Sequence, residues 1–554
     1  MSFLKVFLMW SVKSSLKFLS HYSFYIAMRL ADQYVQLKNA WRRRKPNEAE
    51  AVWAASEVTQ KFCEFNKRNL GEAGAGRKGV ILMDCFPIPV WVVANGVLAN
   101  RLAARCDAEL LSYGDSRRSP WVDKVYASFG CNGHVVIALK AEQRRRHRQL
   151  YMEALRTLKT KEDLFSYSIN GVQIGDEIYE SYLRTFSRPT AELDRFLCQY
   201  LIYVAIGYFV FFEDFFKQRN VLGAVLSHDI YIQMGILAKI AWKNEVPVYL
   251  ANAHDLKRTL GPDQKWSEFS KYPEYFSQLD KGSQEAGIRW AEEQLSKRLG
   301  GAVGVNMPYS SKSAYVSDFI DRQTATTEKK KIVIATHCFF DNPRAYGGML
   351  FPDFYEWISF LGTLAEQTDY EWYIKTHRDF LPGTAKVIQD LVEKYPRIKL
   401  INPNTSWHQL KAEGVGYILT CYGSVGHELP LLGFKVINAG YNPHIAYEFN
   451  WHAKSIDMYR RMLLDLDGLG DIRDINKIYE FYFVHHRLSR LNRSSYFDSW
   501  GSMIAYATKN VRSDEIFETV MREGDGRLTQ VIESVDEFVA SDYLSEAEML
   551  IYKN

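Results

Sequence analysis

The sequence is poor in residues that would build a covalent or metal framework. Seven cysteines are spread over 554 residues, at 63, 85, 106, 131, 198, 338 and 421, with no CxxC pair. That odd, scattered set excludes a disulfide scaffold and a zinc ribbon, and points to a reducing compartment with buried thiols. No GxGxxG follows the first apolar run, no GxxxxGK[ST] is present and no GxSxG occurs. A dinucleotide fingerprint, a P-loop and a hydrolase elbow are thereby excluded. The N-terminal stretch lacks a long uncharged run. Lys5, Lys13, Lys17 and Arg29 interrupt "MSFLKVFLMWSVKSSLKFLSHYSFYIAMRLAD". A spanning helix is not expected there, and no small-residue cleavage pattern marks a signal peptide. The expectation is an amphipathic helix, either packed on its own domain or lying in a membrane interface.

A strong charge of one sign is also missing. The net charge is +4 and the pI about 8.4, too mild by itself to indicate a nucleic-acid binder. Two basic runs stand out, "WRRRK" (41–45) and "RRRHR" (144–148). They read as solvated helix faces or as attractors of anionic lipid or glycan. What the chain has in quantity is apolar and aromatic side chains, 47% and 14%. A chain this long and this apolar divides into about two to four domains. Its aromatic content suits large cores and clefts for flat ligands.

Apolar runs of strand length alternate with helical patterns along most of the chain. Strands are expected at 79–86, 108–114, 133–140, 221–229 and 246–252. After a polar stretch over 260–330, strands are expected at 331–339, 371–377, 398–402, 416–420 and 434–440. Helices fall between them, and the one over 188–218 is apolar all round and so expected to be deeply buried. Alternating strands and helices imply an α/β fold with mostly parallel sheets. The expected domains are a helical segment over 1–70, an α/β domain over 71–328, a second over 329–455, and a mostly helical segment over 456–554 that crosses back to the first.

Ligands of such sheets bind beyond the C-terminal strand ends. In the second half those ends deliver "THCFFDNPRA", "KTHRDF", "CYGSVGHE" and "YNPH". His337, Lys375, His377, Arg378, Tyr422, Gly423, Ser424, Gly426, Glu428 and Asn442 are therefore the candidate ligand-binding residues. Glycines admit a phosphate close to the backbone, Ser424 can donate to it, and Lys375, His377 and Arg378 can neutralise it. Glu428 suits ribose hydroxyls. His427 has no evident task. In the first half, Asp176, Asp229 and His254 are the candidates for a base, Asp176 first, because it follows the tight Gly171–Gly175 segment. Asp465 and Asp467 form a DxD that reads as a solvated loop.

"KTHRDFLPG", followed some 40 residues later by "TCYGSVGHELPLLGFKVINAG", resembles the C-terminal half of bacterial capsule and surface-polysaccharide glycosyltransferases. The group includes enzymes that use CMP-linked ulosonic acids such as Kdo. Lys375, His377, Ser424, Gly426, Glu428 and Gly433 fall in matching places. The group's His-Pro pair is His377-Arg378 here. The resemblance covers roughly 330–445, and 165–260 more loosely. It implies a GT-B architecture, two Rossmann-like domains facing a central cleft with helical terminal segments. It further implies a nucleotide-sugar donor on the C-terminal domain, a glycan or lipid-linked glycan acceptor on the N-terminal one, and no obligatory metal. A cytoplasmic location, at the inner face of the membrane, is the matching expectation. Teichoic-acid polymerases carry a similar serine-containing turn, so a CDP-polyol phosphotransferase is the alternative, and a non-catalytic assembly scaffold a third.

Overall fold

The near-continuous apolar runs of the first half form one sheet and those of the second half another. The computed structural model describes residues 25–26, 28–30, 48–71, 73–74, 76, 78–115, 119–251, 256–264, 266–305, 307, 313–315, 319–377, 382–488, 513–522 and 524–552. The chain divides into two compact units, residues 1–185 with 191–264 and 492–554, and residues 186–190 with 265–491. The boundary expected near 328 therefore falls at 264/265. Most of the N-terminal helix expected before residue 47, and the 41–45 basic run, lie outside the described residues.

Unit 1 contains β1 (Gly79–Asp84), β2 (Ala108–Gly114), β3 (Gly133–Val136), β4 (Val221–Leu226), β5 (Val248–Ala251) and β6 (Leu256–Thr259). They lie in the order β3-β2-β1-β4-β5-β6. All pairs are parallel except β5 with β6. Val80 to Met83 are buried, as expected of a central strand covered on both faces. Helix α1 (Pro89–Cys106) begins on a proline and ends where Asp107 turns left-handed, φ 51°, giving its N–H to the carbonyls of Ala103 and Ala104.

The unit continues with α2 (Ala141–Thr157), α3 (Gly175–Phe186), α4 (Phe196–Gln218) and α5 (Ile236–Lys243). By length and composition α4 could cross a membrane, but most of it is buried inside unit 1. The 144–148 run lies on α2 and is split by its helical faces. His147 is buried, its Nε2 donates to the Tyr203 carbonyl at 2.8 Å, and its Nδ1 accepts from the Tyr25 hydroxyl. Arg146 pairs with Glu213 and Asp214 of α4. Arg145 and Arg148 remain exposed. The run is thus a half-buried packing face, with only its outer edge in solvent. The helix Gly524–Ala540 returns to this unit, where Asp536 meets Arg101 of α1 at 2.7 Å.

Unit 2 contains β7 (Lys331–Ala335), β8 (Glu371–Lys375), β9 (Ile398–Leu400), β10 (Tyr417–Thr420), β11 (Lys435–Asn438) and β12 (Trp451–His452). Their order is β9-β8-β7-β10-β11-β12, all parallel. Its helices include α6 (Lys281–Leu299), α7 (Phe354–Ala365), α8 (Thr384–Lys394), α9 (Trp407–Ala412), the short α10 (Val425–Glu428) and α11 (Lys477–His486). Helix α6 occupies part of the stretch that polarity marks as a linker. Its buried seam is only Gly287, Ala291, Leu295 and Arg298, too narrow for an apolar stripe to show. Gly287 sits against the Phe483 ring, where a Cβ would come within 2.7 Å.

The two sheets share one strand order. In each, the chain reverses its direction of growth between the first and fourth strands. Crevices at such reversals, beyond the C-terminal strand ends, are where these sheets hold ligands. The reversal points are β1/β4 in unit 1 and β7/β10 in unit 2.

Candidate functional site

At the β7/β10 reversal a cavity of about 130 Å³ opens within unit 2. Thr336 and His337 come from β7, and Lys375, Thr376 and His377 from β8. Thr420, Gly423, Ser424, Val425 and Glu428 come from β10 and its turn, with Trp407 from α9 and Arg298 from α6. The volume is below the ~300 Å³ at which drug-sized pockets begin, and fits one small group of a ligand.

The wall is rich in donors. Ser424 is the first residue of the turn, yet its side chain makes no capping bond, and its hydroxyl has no partner among the described residues. The Thr376 hydroxyl is buried without a hydrogen-bond partner among the described residues. His337 Nε2 accepts from the Cys421 N–H at 3.3 Å and lies 3.1 Å from the Thr420 hydroxyl. An Nε2 that accepts a backbone N–H places the ring proton on Nδ1, which has no acceptor among the described residues. Burial pushes the His337 pKa down to about 3, so the ring is a neutral donor. Lys375 is buried, with Nζ 2.9 Å from the Pro403 carbonyl and 5.5 Å from the Trp407 ring centre. His377 is exposed at the rim.

The glycines of the turn serve packing. Neither Gly423 nor Gly426 has positive φ. A Cβ on Gly423 would meet the Thr420 hydroxyl at 2.9 Å, and one on Gly426 would meet His444 Nε2 at 2.2 Å. Gly426 is therefore a seat for a buried histidine and is not on the cavity wall. That histidine belongs to a cluster with His427, His452, His485, His486 and Phe481. His427, without a task in the sequence, is one of its buried rings. Burial pushes its pKa down to about 4 and that of His444 well below the usual histidine range.

Glu428 departs from the role its sequence suggests. It is 1% exposed, its Oε1 accepts from Arg298 Nε at 3.0 Å, and its Oε2 accepts from the Tyr315 hydroxyl at 2.6 Å. Burial pushes its pKa up, but Arg298, His427 and the Tyr315 hydroxyl outweigh that, and the carboxyl lies below its ordinary value. The carboxylate expected to meet ribose is thus held first by two protein groups. Arg298 and Tyr315 lie in the stretch marked as a linker and were missed. An arginine on the seam of a polar helix was the available signal.

Two other candidates lie off the cavity. Asn442 is fully buried: Nδ2 bonds the Gly440 carbonyl at 3.0 Å and lies 3.1 Å from His452 Nδ1, while Oδ1 accepts the His444 N–H. Its work is to brace the loop. The Tyr422 hydroxyl donates to the Asn342 carbonyl, and its ring stacks among His337, Tyr346 and Phe354. Arg378 lies outside the described residues. Asp467 pairs with Lys330 and Asp465 caps the Gly468 N–H, so the DxD is tied into its own loop.

In unit 1 the β1/β4 reversal carries a different chemistry. Asp84 ends β1, fully buried. Its Oδ2 accepts the Ser227 hydroxyl at 2.5 Å and the Ser227 N–H at 2.9 Å, and its Oδ1 accepts from Asn95 at 2.6 Å. Burial pushes the Asp84 pKa up to about 6 against those bonds. Ser227 Oγ lies 3.1 Å from His228 Nδ1, and the His228 ring packs against Phe86 and Trp91. With Asp84 ionised, the serine proton faces the carboxylate, so Ser227 Oγ accepts from His228 Nδ1–H. Asp229 follows, buried at the same edge. Tyr231 then adopts φ 61° and opens a π-helical turn, 231–235, a distortion that recurs at functional sites.

Asp176, the first choice of base, is elsewhere. On α3 it meets Lys239 of α5 at 2.5 Å, and Lys239 also holds Glu177. A carboxylate neutralised by an ammonium is a poor proton acceptor. His254 lies outside the described residues.

No family model matches the chain, and no curated protein does. Solved structures overlap it weakly. Thermosulfurimonas dismutans KpsC, a beta Kdo 2,4 transferase, shares 13% identity over 45% of this chain and 75% of its own, at a TM-score of 0.26. UDP-GlcNAc 2-epimerase from Neisseria meningitidis, bound to UDP-GlcNAc, shares 11% over 82% and 98%, at 0.19. A glycosyltransferase from Rickettsia africae shares 9% over 80% and 99%, at 0.23.

Proposed function

We propose that the chain is a glycosyltransferase of GT-B type that moves a sugar from a nucleotide-activated donor to a glycan acceptor. The observation that carries this reading is the donor-lined cavity at the β7/β10 reversal, where Ser424, Thr376 and His337 hold protons with no protein acceptor among the described residues. A pocket of donors and cations suits the phosphate of a leaving nucleotide, whose charge grows as the bond to the sugar breaks. The finer reading is a CMP-linked ulosonic acid such as Kdo as donor and a capsular or lipopolysaccharide glycan as acceptor. It is supported by the residues at 375–377 and 420–433. The protein would then work on the cytoplasmic side, against the inner face of the membrane.

Transfer also needs a proton acceptor. We place that task on His228, held through its Nδ1 by Ser227 and Asp84. There it serves as the base for the hydroxyl of a ligand bound at the unit 1 reversal, taking its proton and becoming an imidazolium. The imidazolium is then stabilised through Ser227 by the Asp84 carboxylate. The test is a donor screen with the purified chain, CMP-, UDP- and GDP-sugars in parallel, read by released nucleotide. Turnover of one donor that falls at least tenfold in Ser424→Ala is the expected result. Absence of turnover and of any ligand-induced melting shift across the screen overturns the reading. A product containing the donor's phosphorus would identify a CDP-polyol phosphotransferase.

A further inference from the structure

The Arg298–Glu428–Tyr315 group has a geometry that a ribose contact does not explain. All three side chains are buried, and Arg298 and Glu428 lie on the cavity wall. Arg298 gives Nε to Glu428 and Nη1 to the Ala302 carbonyl at 3.2 Å, and its guanidinium lies 5.1 Å from the Tyr315 ring centre. Three contacts fix the plane of the fork. The third nitrogen, Nη2, has no acceptor among the described residues. Across the cavity wall the buried Thr376 hydroxyl is equally without a partner. A buried hydroxyl left unsatisfied, as at Thr376, costs free energy, and an oxyanion in the cavity would accept from it and from Arg298 Nη2.

Resting on the transferase reading for its setting, we infer that Arg298 is the residue that binds the ligand's oxyanion in this pocket. Glu428 is a positioning residue for Arg298, with the Tyr315 hydroxyl fixing Glu428 in turn. The oxyanion belongs to a phosphoryl group of the nucleotide or to the carboxylate of an acidic sugar. A planar fork suits either, and suits them better than a lysine would.

Titration calorimetry on the full chain tests this with four probes, inorganic pyrophosphate, CMP, cytidine and free Kdo. Wild type is expected to bind pyrophosphate and CMP if the oxyanion is phosphoryl, or Kdo if it is a carboxylate. Arg298→Gln is expected to weaken whichever probes bind by tenfold or more, since bonds to charged groups carry that much discrimination. It should leave cytidine unchanged. Arg298→Lys restores charge without the fork and is expected to recover only part of the affinity. Tyr315→Phe keeps the ring under the guanidinium and is expected to lower oxyanion affinity a few fold, with a retained cooperative melting transition for the unliganded chain as the folding control. Glu428→Gln keeps an acceptor for Arg298 Nε and separates the two roles. A positioning Glu428 moves pyrophosphate and CMP together and spares cytidine. Loss of CMP and cytidine with pyrophosphate unchanged means that Glu428 holds ribose, and overturns the inference. So does wild-type oxyanion affinity in folded Arg298→Gln, or no oxyanion binding in wild type. Arg298-dependent pyrophosphate binding without turnover of any nucleotide sugar would leave the inference standing and remove the transferase reading.

Discussion

The two units place opposite chemistry on the same scaffold. Both sheets run 3-2-1-4-5-6, and in both the residues after the first and fourth strands meet at the reversal. In unit 2 that meeting point is a donor surface, with Ser424, Thr376, His337 Nδ1 and Arg298. In unit 1 it is a closed chain of acceptors and donors ending on a carboxylate, Asp84–Ser227–His228. A donor surface wants a ligand that brings charge, and a carboxylate-backed histidine wants a proton. The fold fixes where each site is, and a handful of strand-end residues decides what it can do.

The largest expected effect separates the units by acid. Burial holds His427 and His452 at a pKa of about 4 and His337 at about 3, and His444 lower than usual, all in unit 2. A histidine whose folded pKa is depressed contributes stability that is complete above its unfolded value of ~6.5 and is lost as pH falls. For His427, His452 and His337 the shift costs roughly 3 kcal/mol each at pH 4, a large share of a domain's ~5–15 kcal/mol. Unit 1 has His147 in that state, at about 4. It also buries Asp84 and Glu177 with raised pKa values, whose contribution is present at low pH and lost as pH rises. Unit 2 should therefore unfold first between pH 6 and 4, as a separate transition in hydrogen exchange. A single joint transition would contradict this.

The next effect tests the relay of unit 1. Once a donor is identified, His228→Ala is expected to lower kcat by ~10²–10⁴, the usual worth of a positioned base. Ser227→Ala and Asp84→Asn should keep the ring but disturb its tautomer. They are expected to shift the acid limb of the kcat/KM pH profile while KM for the donor changes little. A kcat loss without any change in that limb would make the relay structural.

Smaller again is the glycine of the unit 2 turn. Gly426→Ala puts a methyl 2.2 Å from His444 Nε2, and both the ring and its surroundings are buried. The expected cost is about 1–3 kcal/mol, read as a lowered melting temperature. Gly416→Ala, with nothing within 4 Å of its new methyl, is the control and should cost little. Equal costs would show that backbone freedom, rather than the His444 contact, selected glycine at 426.

Ten strands were legible because their apolar runs are nearly unbroken, and the strand-end rule then picked out His337, Lys375, His377 and Ser424. What sequence could not show were pairings made at a distance. Asp176 looked like a base because it follows glycines, but Lys239 lies 63 positions away and neutralises it. Glu428 looked like a ligand group, and its partners Arg298 and Tyr315 are 130 and 113 positions away. Helix α6 has the polarity of a linker because its buried seam contains one leucine, two small residues and an arginine. Asn442 lies just beyond a strand end as a ligand residue would, yet its amide is consumed by the loop it braces.

The finest distinction lies between two serines beyond the strands at the two reversals, Ser227 directly after Leu226 and Ser424 in the turn that follows Thr420. Ser227 is 3% exposed, and its hydroxyl is held by Asp84. Ser424 has no protein partner among the described residues and faces the cavity. Removing the first hydroxyl takes one donor from a buried carboxylate, and Ser227→Ala is expected to lower stability by about 1–3 kcal/mol. Removing the second breaks no bond in the unliganded protein, so Ser424→Ala should lie within ~0.5 kcal/mol of wild type. Its loss should appear instead in the affinity for an oxyanion probe, about ten- to a hundredfold for one hydrogen bond to a charged group. Chemical denaturation and calorimetry on the same two variants read both quantities. A Ser424→Ala variant that lost stability and kept its affinity would make the turn a structural cap, and the two reversal points would then differ in packing rather than in chemistry.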